Sequence, residues 1–449
     1  MLHPSRSPSF SRNGSMLTPQ DLIVKALGAC QYPSPLKLES SSAGQASHFA
    51  VDSQRIRLDV TVRPESDIEA QLSLEVAGPR ERIYFRPEHT TAAVVTCGGL
   101  SPGLNNVIRS VFYELFENYG VHRVMGIRNG YLGLTLDSGL EPISLTKEFV
   151  EPIDKLGGTI LGSSRGAQQP AAMADFLQAR GIDILFCVGG DGTQRGAHAL
   201  SQELEGRGAN VAVVGIPKTI DNDIAFVRLA FGYATALEKA AEVIQGAHVE
   251  ARGAINGIGL VKLMGRHAGF IAAGASVVSQ EVDFTLVPEV RFPLEGAEGF
   301  LAALERRLRN SGHAVIVVAE GAGQYLFEGA NQSRDASGNL LHQDIGTFLR
   351  DQIMDYFKQR ELPIALKYFD PSYFIRSVPA NVYDRFLCDH MARNAVHAAM
   401  AGKTGVMIGS ASDRIVHVPI PAVVKQSKAM ETSSDLWRAV LQSTAQPRW

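Results

Sequence analysis

The chain has few cysteines and lacks any long apolar run. Its 449 residues include only four cysteines, at positions 30, 97, 187 and 388, and no two of them form a CxxC pair. This spacing argues against a disulfide framework or a zinc site and is typical of a reducing compartment. No apolar run reaches the roughly 18 residues that a membrane-spanning helix requires. The sequence therefore predicts a cytoplasmic protein that does not act at a membrane.

The chain also lacks the excess of positive charge that nucleic-acid-binding proteins use. Its formal net charge is −3, from 43 Lys and Arg against 46 Asp and Glu. Such a balance gives no overall attraction to phosphate backbones or to anionic lipid. We therefore expect no nucleic-acid partner, and any anionic ligand must be held by local groups.

The N-terminal region, residues 1–90, differs in character from the rest of the chain. Residues 1–16 are rich in Ser and Arg and contain no acid, which is typical of a transit-peptide remnant or of a disordered leader. We favour the leader, with a plastid location as the alternative to the cytoplasm. Segments 55–63 and 71–76 alternate as amphipathic strands do, so we predict a small β-rich extension. This extension could contact another subunit or be exposed to solvent, and the sequence leaves both alternatives open.

From residue 91 onward, apolar β-branched runs alternate with helical stretches. The runs end in glycine or polar clusters and cover 92–99, 183–192, 210–217, 257–266, 283–290 and 314–321. The helical stretches include 193–205, 232–250 and 296–310. Continuous apolar strands separated by helices predict parallel sheets that are covered on both faces. Ligands bind such sheets outside the carboxyl ends of the strands, where the polar clusters lie.

Three of these predicted strand ends are rich in glycine. The stretch 96–112 places glycines ahead of a helix, which suits an anion site or a tight turn equally. The stretch 189–196, GGDGTQRG, surrounds Asp191 with glycines, and one carboxylate in such a loop favours Mg²⁺ bound to phosphate. The stretch 158–169 contributes Arg165, which suits a phosphate-binding loop.

Three further strand ends carry charged side chains. In GIPKTIDNDI, Asp221 and Asp223 follow a buried strand directly, with Lys218 just upstream. A turn uses one Asp or Asn for local hydrogen bonding, so this group predicts proton or phosphate chemistry. Arg266 in MGR and Glu320 in AEG also lie at predicted strand ends.

Two other motifs point to different chemistry. Residues 162–166 fit the G-x-S-x-G pattern of a hydrolase with Ser164 as nucleophile, but only His267 is a histidine at a strand end. A hydrolase therefore stays an alternative. Residues 402–404, Gly-Lys-Thr, resemble the end of a Walker A loop, which would require glycine where the chain has His397. No G-x-G-x-x-G occurs, so no dinucleotide site is predicted.

The ordered set of motifs resembles that of the 6-phosphofructokinases, in particular the ATP-dependent branch of plants and trypanosomatids with its N-terminal extension. The similarity covers roughly 80–425 and rests on these motifs: VTCGGLSPGLN, GYLGL, GGTILGSSRG, GGDGTQ, GIPKTIDNDI, NGIGLVKLMGR, PEV, AEG, YFDPSYFIR and NAVHAAMAG.

The resemblance implies an α/β fold with two Rossmann-like three-layer domains, mostly parallel sheets and an active site in the cleft between the domains. An ATP-binding domain would cover 91–232 with about 377–420. A fructose 6-phosphate-binding domain would cover 233–376 with about 421–449.

The resemblance also implies roles for individual residues. Asp221 would be the general base for the C1 hydroxyl of fructose 6-phosphate, with Thr219 and Arg266 as further catalytic residues, and Asp191 would bind Mg²⁺. The ATP-binding set would be Gly99, Tyr131, Arg165, Gly166, Gly190, Asp191, Gly192, Thr193 and Lys218. The sugar-phosphate-binding set would be Thr219, Ile220, Asp221, Asp223, Met264, Gly265, Arg266, Glu320, Lys367, Tyr373 and Arg376.

One glycine decides the predicted phosphoryl donor. Family members that use pyrophosphate carry Asp in place of Gly192, together with a lysine where this chain has Lys218, so the signature is mixed. A carboxylate at 192 would repel the α-phosphate of a nucleotide by ~1–4 kcal/mol for unit charges about 4 Å apart. We therefore predict ATP as the donor and keep pyrophosphate as the alternative.

Two positions depart from the family pattern. Lys367 stands where the family has an arginine that reaches in from a neighbouring subunit, and Tyr373 replaces a histidine of many bacterial relatives. The resemblance implies an allosteric enzyme of glycolysis that forms a homotetramer or homodimer with shared active sites. A catalytically silent regulatory paralogue is the alternative, although every catalytic position is present.

Overall fold

The structure is a computed structural model that describes residues 17–39, 48–59, 72–327, 341–444 and 446–449. The predicted leader over 1–16 lies outside the described residues. So do the last four residues of the predicted strand 55–63 and the first residue of 71–76.

The strands of the described chain are mostly short outside the two sheet cores. In order they are β1 (Lys25–Ala26), β2 (Tyr32–Pro33), β3 (Arg55–Arg57), β4 (Ser73–Val76), β5 (Arg82–Ile83), β6 (Thr91–Thr96), β7 (Arg123–Ile127), β8 (Ile143–Ser144), β9 (Ile184–Gly189), β10 (Ala212–Pro217), β11 (Gly257–Leu263), β12 (Phe284–Leu286), β13 (His313–Ala319), β14 (Ala365–Phe369), β15 (Lys403–Thr404), β16 (Val406–Ala411) and β17 (Arg414–Pro419).

The α-helices lie mainly between the parallel strands. They are α1 (Leu104–Tyr113), α2 (Lys147–Val150), α3 (Pro170–Ala179), α4 (Asp191–Gly206), α5 (Tyr233–Arg252), α6 (Phe270–Ser279), α7 (Phe300–Ser311), α8 (Ile345–Gln359), α9 (Ser372–Ser377), α10 (Val382–Met400), α11 (Ile420–Val424) and α12 (Asp435–Thr444). Within the described ranges, no helix is both long and apolar enough to cross a membrane.

The larger sheet has nine strands in the order β3-β4-β17-β16-β10-β9-β6-β7-β8. Its five central strands, from β16 to β7, pair in parallel, and the outer pairs are antiparallel. Every residue of β6, β9 and β10 is buried, because these strands are apolar on both faces. Register pairs Pro217 with Gly189, so β9 and β10 end side by side.

The smaller sheet is entirely parallel and has the order β12-β13-β11-β14. Its central strands β11 and β13 are buried along almost their whole length, whereas the edge strand β14 is only half-buried. Its core packs around Phe300 and Phe357, both fully enclosed.

The described chain divides into two compact units. Unit 1 comprises Met1–Thr219, Ile224–Gly232 and Pro379–Ser427, and unit 2 comprises Ile220–Asp223, Tyr233–Val378 and Lys428–Trp449. Unit 1 contains the larger sheet and unit 2 contains the smaller one. Both are α/β units with mostly parallel sheets, which confirms the predicted fold class.

One sequence expectation needs correction. Residues 158–169 do not follow a strand, because Gly158 and Gly162 adopt positive φ values of 72° and 70° and turn the chain. The structure also shows where the described strands of the predicted β-rich extension lie. Its strands β3 and β4 continue the larger sheet, since β4 pairs with β17, and its described residues belong to unit 1.

Candidate active site

The glycine-rich loops of unit 1 are joined to one another by hydrogen bonds. The amide of Gly98 donates to the carbonyl of Ser164 at 3.1 Å, and the hydroxyl of Ser163 donates to the carbonyl of Gly98 at 2.6 Å. The Cys97 amide donates to the carbonyl of Val188 at 2.9 Å. The loop after β6 is therefore fixed against both the 158–169 turn and the end of β9.

Lys218 ties the loops after β6 and β9 to the end of β10. Its ammonium donates to the carbonyl of Gly99 at 2.6 Å, and its amide donates to the carbonyl of Gly189 at 3.0 Å. The side chain is only 5% exposed. Lys218, which we predict to bind ATP, therefore joins two glycine-rich loops and also brings a positive charge to them.

Asp191 is the first residue of α4, directly after the end of β9. It is half-buried, and Gly190 precedes it with an extended backbone. A Cβ at Gly189 would overlap the side chain of Thr193, so the turn into the helix closes only with glycine there. A Cβ at Gly192 would meet nothing nearer than Arg195 Nη2 at 4.0 Å. Position 192, which we predict to distinguish ATP from pyrophosphate as the phosphoryl donor, therefore has room for a side chain.

Tyr131 stabilises the turn between β9 and α4, which carries Asp191. Its hydroxyl donates to the carbonyl of Thr193 at 2.7 Å, and burial raises the pKa of the phenol well above its usual value. Gln194, which the sequence did not single out, donates from Nε2 to the carbonyl of Gly189 at 3.1 Å. Both side chains fix the main chain around Asp191.

A hydrolase nucleophile does not fit the geometry around Ser164. The serine lies in a turn region with no strand directly before it, whereas a nucleophile elbow follows a strand. Its Oγ is buried and has no hydrogen-bond partner among the described residues, so no histidine activates it there. The G-x-S-x-G match is a coincidence of loop composition.

In unit 2, the turn 220–223 carries two carboxylates, those of Asp221 and Asp223. Asn222 has a left-handed φ of 56°, which asparagine tolerates better than most residues. Ile220 and Asn222 are buried, at 5% and 3% exposure, whereas Asp221 and Asp223 are half-buried. The predicted base Asp221 and the acid Asp223 are therefore more exposed than Ile220 and Asn222.

The MGR and AEG loops lie against each other at the ends of β11 and β13. The amide of Gly321 donates to the carbonyl of Gly265 at 3.0 Å, and the amide of Glu320 donates to the carbonyl of Leu263 at 2.9 Å. A Cβ at Gly321 would overlap the carbonyl of Arg266, which is why the AEG motif ends in glycine. The structure thus brings Met264–Arg266 and Glu320 together.

Positive side chains surround Glu320. Burial raises the pKa of its carboxyl, and the nearby charges of Arg266, Lys262 and Arg376 oppose that shift. Arg376 lies with its guanidinium 4.7 Å from the ring centroid of Tyr373. Its Nε is buried without a hydrogen-bond partner among the described residues. A phosphate would supply the acceptor that this donor lacks.

Lys262 is a member of this cluster that the sequence did not identify. Its ammonium pairs with Asp344 at 3.1 Å and with Asp370 at 2.8 Å. Burial works against its charged form, but the hydrogen bonds to these two carboxylates raise its pKa above the usual value. A lysine inside the otherwise apolar run GLVKL was the available signal.

Two predicted sugar-phosphate residues, Lys367 and Tyr373, are more exposed than the rest of this cluster. Lys367 is exposed on the edge strand β14 and forms no salt bridge with another described residue. Tyr373 is 75% exposed and contacts Arg376 through its ring. The proposed reach of Lys367 into a neighbouring subunit stays a prediction.

The residues around Asp191 fit a magnesium ion that arrives with a nucleotide. Within the described ranges there is no group of three or more His, Cys, Asp or Glu side chains suited to a metal. Mg²⁺ often binds through one or two carboxylates and completes its shell with phosphate oxygens and water. A half-buried carboxylate at a helix start beside an open glycine suits that mode.

Comparison with known proteins identifies the family. The phosphofructokinase family model matches residues 91–399. An ATP-dependent 6-phosphofructokinase from Borreliella burgdorferi is 47% identical over 434 residues, which cover 95% of this chain and 97% of that relative. The Trypanosoma brucei brucei ATP-dependent 6-phosphofructokinase is 43% identical over 436 residues, covering 95% of this chain and 88% of that relative.

A solved structure agrees at the level of the fold. A pyrophosphate-dependent phosphofructokinase from Marinobacter aquaeolei aligns with a TM-score of 0.64 at 21% identity, over 80% of this chain and 92% of that one. At this identity the likeness shows the fold and does not bear on the donor. The chain belongs to the phosphofructokinase family, which confirms the resemblance that its motifs predicted.

Proposed function

We propose that the chain is an ATP-dependent 6-phosphofructokinase that transfers the γ-phosphoryl group of Mg-ATP to the C1 hydroxyl of D-fructose 6-phosphate. The products are fructose 1,6-bisphosphate and ADP, so the enzyme acts in glycolysis. One structural observation carries the proposal. Pro217 and Gly189 are in register on adjacent strands, so the Asp191 turn and the segment leading to Asp221 leave the same sheet edge. Relatives with the ATP-dependent activity at 43–47% identity support the choice of reaction.

Asp221 is the general base in this proposal. It takes the proton from the C1 hydroxyl while that oxygen attacks the γ-phosphorus, and the bond to the ADP oxygen breaks. A positioned base of this kind contributes typically ~10²–10⁴ in rate. Thr219 and Arg266 assist, the arginine by neutralising charge on the transferring group. Phosphoryl transfer needs little beyond positioning and such charge neutralisation.

The nucleotide is held mainly by main-chain groups of the glycine-rich loops. The amides at Gly99, Gly166 and Gly190 face phosphate oxygens in this assignment, with Arg165 and Lys218 adding charge. Asp191 holds Mg²⁺, which would neutralise the β- and γ-phosphate oxygens when bound. Thr193 and Tyr131 keep the Asp191 turn in place, as their 2.7 Å hydrogen bond suggests.

The sugar phosphate is held by charged groups of unit 2. Arg266 and Arg376 bind the 6-phosphate, and Glu320 accepts hydrogen bonds from sugar hydroxyls. The assignment is supported by the charges of Arg266 and Arg376, which lie near enough to Glu320 to oppose the rise of its pKa. Asp223, Met264, Gly265 and Lys367 complete the predicted set, and unit 2 is accordingly the fructose 6-phosphate unit while unit 1 is the ATP unit.

The assembly and the location of the enzyme are further parts of the proposal. We propose a homotetramer or homodimer in which Lys367, exposed on the edge strand β14, reaches the sugar phosphate of another subunit. Allosteric effectors would bind where subunits meet. The cytoplasm is the proposed location.

Donor-resolved kinetics on the purified protein test the function. With fructose 6-phosphate and magnesium, we expect turnover with ATP and little with pyrophosphate. The reverse preference would overturn the donor assignment, and no turnover with either donor would favour the silent paralogue. Gly192→Asp should sharply reduce ATP use, because a carboxylate in this open position repels the α-phosphate. An unaffected ATP rate in that variant would contradict the donor argument.

A further inference from the structure

The short segment 428–430, between α11 and α12, contacts two of the motif loops of unit 2. The amide of Lys428 donates to the carbonyl of Asp223 at 3.2 Å. The amide of Met430 donates to Oε1 of Glu289 at 2.9 Å. The segment therefore links the turn 220–223 to the loop that follows β12.

Glu289 extends this link to the loop that carries Arg266. Its carboxylate accepts the amide of Gly269 at 3.0 and 3.1 Å, three residues beyond Arg266. One carboxylate thus joins the loop after β11 to the 428–430 segment. The glutamate belongs to the PEV motif, to which the sequence assigned no individual role.

The side chain of Lys428 continues the contact made by its amide. Its ammonium lies 4.9 Å from the ring centroid of Phe270, the first residue of α6. It is also close enough to Asp223 for electrostatic attraction between the two charges. Burying an ammonium costs free energy. The cation–π contact with the Phe270 ring and the attraction of the Asp223 carboxylate together offset part of that cost.

We propose that Lys428 is a positioning residue for phosphoryl transfer: its amide and ammonium hold Asp223, and through the turn 220–223 they fix the orientation of Asp221. The inference rests on the phosphofructokinase activity proposed above. Lys428 is not a catalytic residue in this account, because it acts on the substrates only through the turn. The 428–430 segment lies more than 200 residues along the chain from the motif that it holds.

The state of the ammonium gives the proposal a pH signature. Burial lowers the pKa of Lys428 to about 8, and the attraction of Asp223 opposes that shift. The charged groups that face the segment are Asp223 from the turn and Glu289 from the loop after β12; α6 contributes the Phe270 ring. Because the pKa is lowered, the cation is present below pH 8 and is lost above it.

Three variants test the proposal under saturating ATP and fructose 6-phosphate. Lys428→Met removes the charge with little change in length, and Lys428→Arg keeps a cation throughout the assay range. Lys425→Met is the matched control, because that lysine is three positions earlier, has a side chain 47% exposed and pairs with Asp21. All variants are compared with the wild type from pH 6.5 to 9.5, and folding is checked by thermal melting.

We expect Lys428→Met to lower kcat about 10- to 100-fold at pH 7 with the KM for ATP unchanged, since misplacing a catalytic group by about 1 Å costs up to that much. For the wild type we expect kcat to fall above pH 8, whereas Lys428→Arg should keep most of kcat and should not show this fall. Lys425→Met should behave as the wild type.

The inference is overturned if Lys428→Met retains wild-type kcat, or if Lys428→Arg and the wild type share one alkaline limb. The second comparison decides the matter even when Lys428→Met does not fold. A wild-type enzyme with no turnover of ATP and fructose 6-phosphate would contradict the proposed function instead, so the two failures are distinguishable.

Discussion

The two units keep their buried charges in different places. In unit 1 the main charged cluster surrounds Glu75 on β4. Its carboxylate accepts from Arg80 at 2.9 Å and from His417 at 2.9 Å, and it pairs with Lys403 at 3.2 Å. Four strand steps separate β4 from β9, or roughly 19 Å at the usual spacing. Apart from Arg165 and Lys218, the glycine-rich loops around Asp191 are joined by main-chain groups and by the uncharged side chains of Ser163, Tyr131 and Gln194.

In unit 2 the charged cluster lies within the candidate site itself. Lys262, Arg266 and Arg376 are near Glu320, and Lys262 also pairs with two further carboxylates. The difference matches the ligands that we assign. Backbone amides at glycine-rich turns suit the phosphates of a nucleotide that brings its own metal. A free sugar phosphate brings no counterion, so the protein must supply the positive charge.

The largest expected effect concerns Asp221, the acid that we propose as the general base. Asp221→Asn should lower kcat by ~10²–10⁴, because the amide cannot take the proton from the C1 hydroxyl. Binding of fructose 6-phosphate, measured by calorimetry, should persist because Arg266, Arg376 and Glu320 are intact. This result would separate the catalytic acid of unit 2 from the charged groups that only bind.

Ser164→Ala provides the contrasting variant for Asp221→Asn. A hydrolase would lose its activity with this serine and not with Asp221, and it would cleave ester substrates. We expect a much smaller loss of phosphoryl transfer than in Asp221→Asn. Equal losses of phosphoryl transfer in Asp221→Asn and Ser164→Ala would contradict the assignment of Asp221 as the general base.

The next effect should fall on stability alone. Arg80→Ala removes one of the three buried partners of Glu75, an arginine whose side chain is 8% exposed. Breaking a buried ion pair typically costs ~3–5 kcal/mol when the remaining charge is left uncompensated, and because Lys403 and His417 still contact Glu75 the loss should lie at or below the lower end of that range. The free energy of unfolding, from urea titration, should fall by that amount while the KM values for both substrates hold. Arg82→Ala, at an exposed arginine two positions on, is the control. A changed KM for ATP in Arg80→Ala would show that the charged cluster of unit 1 is coupled to the site.

A smaller effect is expected when a side chain is added to the glycine-rich turn between β9 and α4 in unit 1. Gly189→Ala places a methyl group against Thr193 and should cost ~1–3 kcal/mol of overpacking at the turn into α4. The KM for ATP should rise accordingly, with fructose 6-phosphate binding unaffected. Gly192→Ala adds the same methyl group where no atom lies nearer than 4.0 Å, so its effect should be clearly smaller. Equal effects would contradict the close-packing explanation.

Much of the parallel core could be predicted from local sequence. The runs that end at Gly98, Gly189 and Pro217 are apolar on both faces, and β6, β9 and β10 form there as predicted. The glycine-rich loops were equally visible, because close approach of the main chain demands glycine at fixed places. Residues 158–161 misled the prediction, since an apolar pair beside glycines reads as a strand end although the glycines turn the chain.

The parts that escaped prediction depend on long-range contacts. Lys262 pairs with acids at 344 and 370, and Lys428 contacts a motif more than 200 residues earlier in the chain. Single charged residues at such separations leave no period or spacing in the sequence. The pairing of β4 with β17 is hidden for the same reason, because neither strand carries a sign of its partner.

The smallest expected effect is the pH dependence of stability in unit 1. Burial lowers the pKa of His397 to about 3, and burial also lowers the pKa of His417. His397 is then neutral in the folded protein near pH 6, whereas the same side chain in an unfolded chain binds a proton below its pKa of about 6.5. The lowered pKa of His417 acts in the same direction. The unfolded state therefore binds more protons, and stability falls as the pH falls below 6.5.

His397→Gln isolates one of these two contributions. A histidine that stays neutral in the folded state lowers stability by up to about 1.4 kcal/mol per pH unit once the pH is well below 6.5, and by about 1 kcal/mol between pH 6.5 and 5.5. This variant should therefore flatten the stability curve over that range by about 1 kcal/mol. Glutamine can still hydrogen-bond the Tyr119 hydroxyl, which lies 2.9 Å from His397 Nδ1. Because these histidines belong to unit 1 outside its glycine-rich loops, kcat of the folded enzyme should not follow the slope. A parallel change in kcat would break the separation between charges that stabilise unit 1 and charges that act on substrate in unit 2.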